Sequence, residues 1–226
     1  ASRGVGYEIV QYFLRNNAEV IGFSRGNSTI EHNEYHHFGV DLADATDIAK
    51  TFKLVAKQFK TIDILINNAA VLTSQYSLIM PIKNAVDMVN INLLGAFFVS
   101  RESAKLMRKS EYGRIINISS MAVSLEPAGD SIYAATKAGI QTLANVMAKE
   151  YSSMNITCNT FAISAIETDM LRQHTPAAQE KIKGIIHDLP IPRMAKIDDI
   201  LNVIDFFCSV RSSYISGQML YLGGLN

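Results

Sequence analysis

The chain has no tryptophan, and its 226 residues include only two cysteines and five prolines. Cys158 and Cys208 lie far apart, each inside an apolar segment. That spacing argues against a disulfide framework or a cysteine metal site and fits buried thiols in a reducing cytoplasm. Charge of one sign is lacking too. Lys+Arg and Asp+Glu balance at 21 each, so no excess attracts nucleic acid or an anionic membrane surface. No apolar run approaches the ~20 residues of a membrane helix, and the opening residues carry no secretory pattern. There is no Pro/Gly/Ser linker, internal repeat or low-complexity tract. An apolar content of 48% over this length suits one domain, residues 1–226, with a sizeable core.

What is present is alternation. Gly6 to Asn16 has helical spacing, with Ile9, Val10, Phe13 and Leu14 on one side. Short apolar runs at Glu19 to Ser24, His37 to Leu42, Asp63 to Asn67, Gly113 to Ser119, Asn155 to Ala162 and Gln218 to Leu222 are expected as strands. Between them, Ala45 to Phe59, Ile82 to Lys109, Ser131 to Tyr151 and Asp198 to Ser209 carry the helical period. Gly26 to Tyr35 is too polar for a full helix. Strands alternating with helices predict an α/β fold, a single-domain doubly wound parallel sheet of Rossmann type covered on both faces. Right-handed crossovers then gather the strand C-terminal ends on one edge, where ligands bind. Pro176, Pro190 and Pro192 flank a region, about 170–193, that breaks the alternation. It is the candidate for a lid.

The chemistry-bearing residues fall at those strand ends. Tyr133-Ala-Ala-Thr-Lys137 puts a phenol and an ammonium four residues apart, on one helix face. A neighbouring cation favours phenolate, which suits proton transfer. Ser119-Ser120 closes the preceding strand, where a hydroxyl can meet a substrate oxygen or simply end the strand. Asn92 sits inside a helix, a poor place for Asn, where it would hold water or distort the helix. Asn67-Asn68-Ala69-Ala70 ends a buried strand, where the amides satisfy either a turn or a cofactor. Ala1-Ser-Arg-Gly-Val-Gly6 leads into the first helix, and glycines there let phosphates approach backbone N–H groups.

In this order and spacing the chain resembles the short-chain dehydrogenase/reductase family over essentially all 226 residues. The family's Thr-Gly-x-x-x-Gly-x-Gly motif is matched from its first x by Ala1 to Gly6, and Asn-Asn-Ala-Gly by Asn67 to Ala70, with Ala in place of Gly. Tyr-x-x-x-Lys is Tyr133 and Lys137. The family serine, thirteen residues before the tyrosine, selects Ser120 over Ser119. The resemblance implies hydride transfer between NADP(H) and a carbonyl or secondary alcohol. Tyr133 would move the proton, Ser120 polarise the oxygen, Lys137 lower the Tyr133 pKa and bind ribose, and Asn92 hold a relay water. Cofactor contacts would come from Ser2, Arg3, Gly4, Val5, Gly6, Arg25, Asp41, Leu42, Asn68, Ala69, Tyr133, Lys137, Ile166 and Thr168. Arg25 after the second strand, with Arg3, favours the 2′-phosphate of NADP(H) over NAD(H). No metal is implied.

The strongest likeness is to 3-oxoacyl-carrier-protein reductases, helped by Ile166-Glu-Thr-Asp-Met170. An acyl-thioester or similar small ketone is the expected substrate, chosen by Val71 to Pro81 and the 170–193 lid. A homo-oligomer, tetramer or dimer, is expected from family habit. The alternatives are a sugar or steroid alcohol dehydrogenase, or a non-catalytic dinucleotide-binding sensor or scaffold. Two departures stand out. The first strand and first glycine of the motif are absent from Ala1 onward, which leads us to expect that native residues are missing there and that the strands at 19–24 and 63–67 stand apart. Ile163-Ser164 replaces the family's Pro-Gly after the sixth strand, which puts the backbone path there in doubt.

Overall fold

The computed structural model describes residues 3–166, 184, 186–187 and 189–224. Of the expected site residues, Ser2 and Thr168 lie outside that set, as does most of the 170–193 region. The described elements run α1 (Gly4–Arg15), β1 (Val20–Ser24), β2 (Tyr35–Gly39), α2 (Ala45–Gln58), β3 (Ile64–Asn67), α3 (Ile82–Met88), a π-helical segment (Val89–Gly95), α4 (Ala96–Met107), β4 (Gly113–Ser120), α5 (Ala122–Leu125), α6 (Ser131–Glu150), β5 (Ile156–Ile163), α7 (Ile197–Cys208) and β6 (Met219–Tyr221). No helix forms over Gly26 to Glu34, as its polarity predicts.

All strand pairs are parallel. β4 carries the alternation that makes three layers. Ile116 and Ile118 face α1 and α7 and pack with Ile9, Phe161, Ile200 and Ile204. Ile115 faces the other way, onto Met107 of α4 and Ala144 and Met147 of α6. Side chains on successive strand residues point to opposite faces, so a strand buried on both sides is apolar almost throughout. α2 completes the second layer through Ile48, Phe52 and Val55 against Val99 and Leu106.

The strands form two sheets, β1–β2 and β3–β4–β5–β6. β1 and β3 do not pair. Both present an edge to a cavity of about 460 Å³ whose walls include Ile21, Phe23, Leu65 and Ile66, with Val10 of α1 on one side and Phe52 of α2 on the other. Direct pairing of β1 with β3, the alternative to a separated arrangement, is therefore excluded. α1 bridges the two halves. Its Ile9 packs on the β4–β5 side, while Val10 and Leu14 pack with Tyr35 of β2.

One strand's bounds need correction, and the helix expected over Ile82 to Lys109 is met by Ile82–Met107. The second strand is Tyr35–Gly39, earlier than His37 to Leu42. The Asp41 N–H donates to Asp47 Oδ2 at 2.8 Å and Asp41 Oδ1 accepts from Ala43 N–H at 3.0 Å, turning the chain out of the strand into α2. The stretch Ile82–Met107 forms 26 continuous helical residues, long and apolar enough by length and composition to span a membrane. No uninterrupted apolar run announced it, because α3, the π segment and α4 join end to end across Asn90 and Asn92. Here it packs against α2, α6 and β3.

A sheet split in this way leaves unequal protection. In the 226-residue chain, amides of β1 and β3, each with one unpaired edge, are expected to exchange with solvent deuterium at least about tenfold faster than those of β4, paired on both edges. Hydrogen exchange read by mass spectrometry or NMR checks this. Equal protection across β1, β3 and β4 would contradict the split.

Candidate active site

The end of β4 and the first turns of α6 build the site. α6 holds Ala134, Ala135, Ala138, Ala144 and Ala148, strong helix formers, so Tyr133 and Lys137 stack one turn apart. The Lys137 Nζ lies 5.9 Å from the Tyr133 ring centroid. Lys137 is only 3% exposed, and its Nζ donates to the Ile118 carbonyl of β4 at 2.7 Å.

The two serines at the end of β4 separate in role. Ser119 is buried and its hydroxyl donates to the Lys137 carbonyl at 3.1 Å, tying β4 to α6. Ser120 accepts from Ala122 N–H at 3.2 Å and faces the Tyr133 phenol closely enough to pull its pKa down. Strand alternation alone puts one of them on the reacting side.

Asn92 is fully buried, within the π segment. Its Oδ1 accepts from Val71 N–H at 2.8 Å, and its Nδ2 donates to the Val71 carbonyl at 2.9 Å and to Thr136 Oγ1 at 3.3 Å. The amide thus clamps the chain leaving β3 and links it to α6 beside Tyr133. Both its N–H groups are spent on protein partners, so a water held by this side chain would donate to the second lone pair of Oδ1. The distortion of the helix is real, and such π segments recur at functional sites. Gly95 closes it, where an added Cβ would lie 2.6 Å from the Leu42 carbonyl.

Electrostatics corrects a second expectation. Burial raises the Tyr133 pKa above its ordinary 10, Ser120 pulls it back through its hydrogen bond, and Asp130 pushes it up. Lys137 does not offset the rise, since its ammonium is turned to the Ile118 carbonyl; burial brings its own pKa down to about 8. At neutral pH the pair is therefore a protonated phenol beside a buried cation.

The other predicted residues fall into two groups. Asn67 points inward, donating to Ser100 Oγ and Asn117 Oδ1, both at 2.8 Å. Asn68 and Ala69 follow it at the strand end, Ala69 exposed. Ile166 bridges to Ala195 and packs on the α1–α7 core. Ile163 stays in register with Ser120 and its carbonyl accepts from Met121 N–H at 2.9 Å, so the strand runs on through the position where the motif has proline. Ser164 is buried against Gly223.

At the far end, Arg3 is the extended N-cap of α1 and supplies no side-chain cap. Gly4 has φ +58° with open space around it, and Gly6 is buried. Val5 packs on the α1–α7 core. The uncapped first-turn N–H groups fit an anionic ligand such as a dinucleotide phosphate. Arg25 is exposed just past β1. Asp41 and Leu42 lie between β2 and α2, with Leu42 against the α2 core. The structural roles of Val71, Thr136 and Ile118 are not legible in the sequence. The first and last act through backbone groups, which no residue type reveals, and Thr136 sits one residue before Lys137 without distinction.

A family model described as Enoyl-(Acyl carrier protein) reductase matches residues 1–226. The chain is 31% identical to the 3-oxoacyl-acyl-carrier-protein reductase FabG of Aquifex aeolicus, over 99% of this chain and 93% of that protein. It is 30% identical to its Escherichia coli counterpart with the same coverage. The fold matches ligand-free aldohexose dehydrogenase of Thermoplasma acidophilum with a TM-score of 0.90 and 26% identity, over 100% of this chain and 91% of that one.

A buried ammonium with one protein partner costs stability. Its folded pKa, about 8, lies below the ordinary 10.5. The penalty is therefore full below pH 8, relieved as pH rises from 8 to 10.5, and absent above. Lys137→Met is expected to stabilise the fold at pH 7 by about 1–3 kcal/mol, after loss of the bond to Ile118, while abolishing turnover. Urea melts at pH 7 and pH 10 check it. The wild-type deficit should shrink at the higher pH.

Proposed function

The chain belongs to the short-chain dehydrogenase/reductase family, and we propose that it is an NADP(H)-dependent carbonyl reductase acting on a 3-oxoacyl thioester or a similar ketone. The observation that carries this reading is the meeting of Ser120, Tyr133 and Lys137 at the strand C-terminal edge. Tyr133 donates the proton to the substrate oxygen as it gains charge, and Ser120 orients and polarises that oxygen. A phenol held in its protonated form by burial supports donation, and so the reducing direction. Lys137 supplies positive charge and binds the ribose hydroxyls. Asn92 anchors the chain leaving β3 where the nicotinamide end would lie.

When bound, the nicotinamide cofactor supplies the hydride. Ser2, Arg3, Gly4, Val5 and Gly6 would hold its phosphates at the uncapped start of α1. Asp41 and Leu42 would flank adenine. Asn68, Ala69, Ile166 and Thr168 would hold the nicotinamide side, and Arg25 with Arg3 the 2′-phosphate. The domain spans 1–226, with the substrate lid at about 170–193. The relatives' names support a thioester substrate. A sugar alcohol is the second reading, favoured by the fold match to an aldohexose dehydrogenase. Leu78, Ile82 and Val86, 97%, 83% and 48% exposed on and beside α3, support a homo-oligomer, and the balanced charge supports a cytoplasmic enzyme without nucleic-acid or membrane partners. A panel of 3-oxoacyl thioesters, simple ketones and aldoses, followed by NADPH absorbance, tests the substrate. Turnover of aldoses alone would favour the second reading.

Tyr133→Phe keeps the ring and removes the proton, so turnover should fall by ~10²–10⁴ with cofactor affinity retained. Stopped-flow rates and cofactor titration check it. Arg25→Asp replaces a phosphate partner with a repelling carboxylate. The wild type should prefer NADPH by roughly ten- to several hundred-fold in kcat/KM, and the variant should reverse the order. Equal or better use of NADH by the wild type would sink the NADP(H) assignment.

A further inference from the structure

We propose that His37 is a positioning residue for cofactor selection: it fixes the turn after β1 that presents Arg25. The inference rests on the reading that Arg25 meets the 2′-phosphate.

Arg25 is exposed and makes no hydrogen bond or ion pair among the described residues, and nothing lies within 4 Å of a Cβ built on Gly26. A turn so open needs something to hold it. The Gly26 carbonyl accepts two bonds, from Ser24 Oγ at 2.8 Å and from His37 Nε2 at 2.8 Å. The His37 Nε2 also lies 3.4 Å from Ser24 Oγ. A carbonyl only accepts, so Nε2 carries the hydrogen. In the neutral ring Nδ1 is then an acceptor, and it faces the Tyr35 hydroxyl at 3.3 Å. Donors and acceptors match along the whole chain of contacts.

That chain is anchored in the core. Tyr35 is 9% exposed and packs against Val10 and Leu14 of α1. Its ring stacks on His37, with centroids 6.2 Å apart and planes 29° apart. It lies across β1 at Gly22, where an added Cβ would fall 2.2 Å from the Tyr35 oxygen. The glycine in the middle of an otherwise apolar strand is the space that the phenol occupies. α1, whose N-terminus would hold the cofactor phosphates, is thereby coupled through Tyr35 and His37 to the backbone that carries Arg25. Ser24 alone holds the turn within one strand, whereas His37 ties it to the neighbouring strand and fixes where the guanidinium stands.

The test uses the full chain and steady-state kinetics with both cofactors. His37→Ala should raise KM for NADPH about tenfold, with kcat and the KM for NADH within about twofold. His37→Gln, whose amide nitrogen reaches as far as Nε2 and donates to the same carbonyl, should recover most of the loss. Tyr35→Phe, which keeps the ring and removes only the donor to Nδ1, should give a smaller rise for NADPH, and it carries the test if His37→Ala does not fold. Arg25→Asp serves as the reference. If it leaves NADPH preference unchanged, the Arg25 reading fails and takes this inference with it. If it reverses the preference while the His37 and Tyr35 variants leave KM for NADPH at the wild-type value, the inference alone is overturned. Equal losses for both cofactors, not recovered by glutamine, also overturn it and make His37 a structural residue only.

Discussion

The burial of the Lys137 ammonium between β4 and α6 is the constraint on which the site depends. A charge in that position is tolerated because the Ile118 carbonyl accepts from it and Ser119 ties the same helix to the same strand. Burial costs the cation its hydration, and the fall of its pKa to about 8 measures that cost. The arrangement fixes the height of α6 against the sheet edge, and with it the position of Tyr133 relative to Ser120. Without a ligand the ammonium serves the strand backbone, leaving the phenol protonated. Tyr133 and Lys137 are thus held as a protonated phenol beside a buried ammonium.

A second constraint is the clamp made by Asn92. The π segment costs regular helix geometry, and the returns are two bonds to Val71 and one to Thr136. The clamp joins the exit of β3, the long helix and the turn of α6 beside Tyr133. The strand end, the long helix and α6 therefore share one rigid support. The far end is built differently, on β1 and β2, which form a sheet of their own across the cavity from β3. There α1 supplies the continuity that sheet pairing does not, with Ile9 on the β4–β5 side and Val10 and Leu14 on Tyr35.

Periodicity and punctuation made most of the fold legible. The spacing of Ile48, Phe52 and Val55 gave α2, and the unbroken apolar run at β4 gave a strand buried on both faces. Element ends were less legible, because they are set by bonds outside the element. β2 stops at Gly39 because Asp41 and Asp47 turn the chain. The long helix runs on through Asn92, whose side chain bonds to Val71 and Thr136. Of the candidate site, side-chain type and order pointed to Tyr133, Lys137, Ser120 and Asn92, but not to the backbone groups of Ile118 and Val71 that hold two of them.

By itself the sequence determined the order of strands and helices, the shared helix face of Tyr133 and Lys137, and the family likeness, since these depend on local period and spacing alone. Only the tertiary structure decided the sign of the Tyr133 shift, the direction of the Lys137 amine and the use made of Asn92. Each of those depends on which distant groups come into contact and how much water they exclude, and burial of a charge or a hydrogen-bonding group is a property of its surroundings.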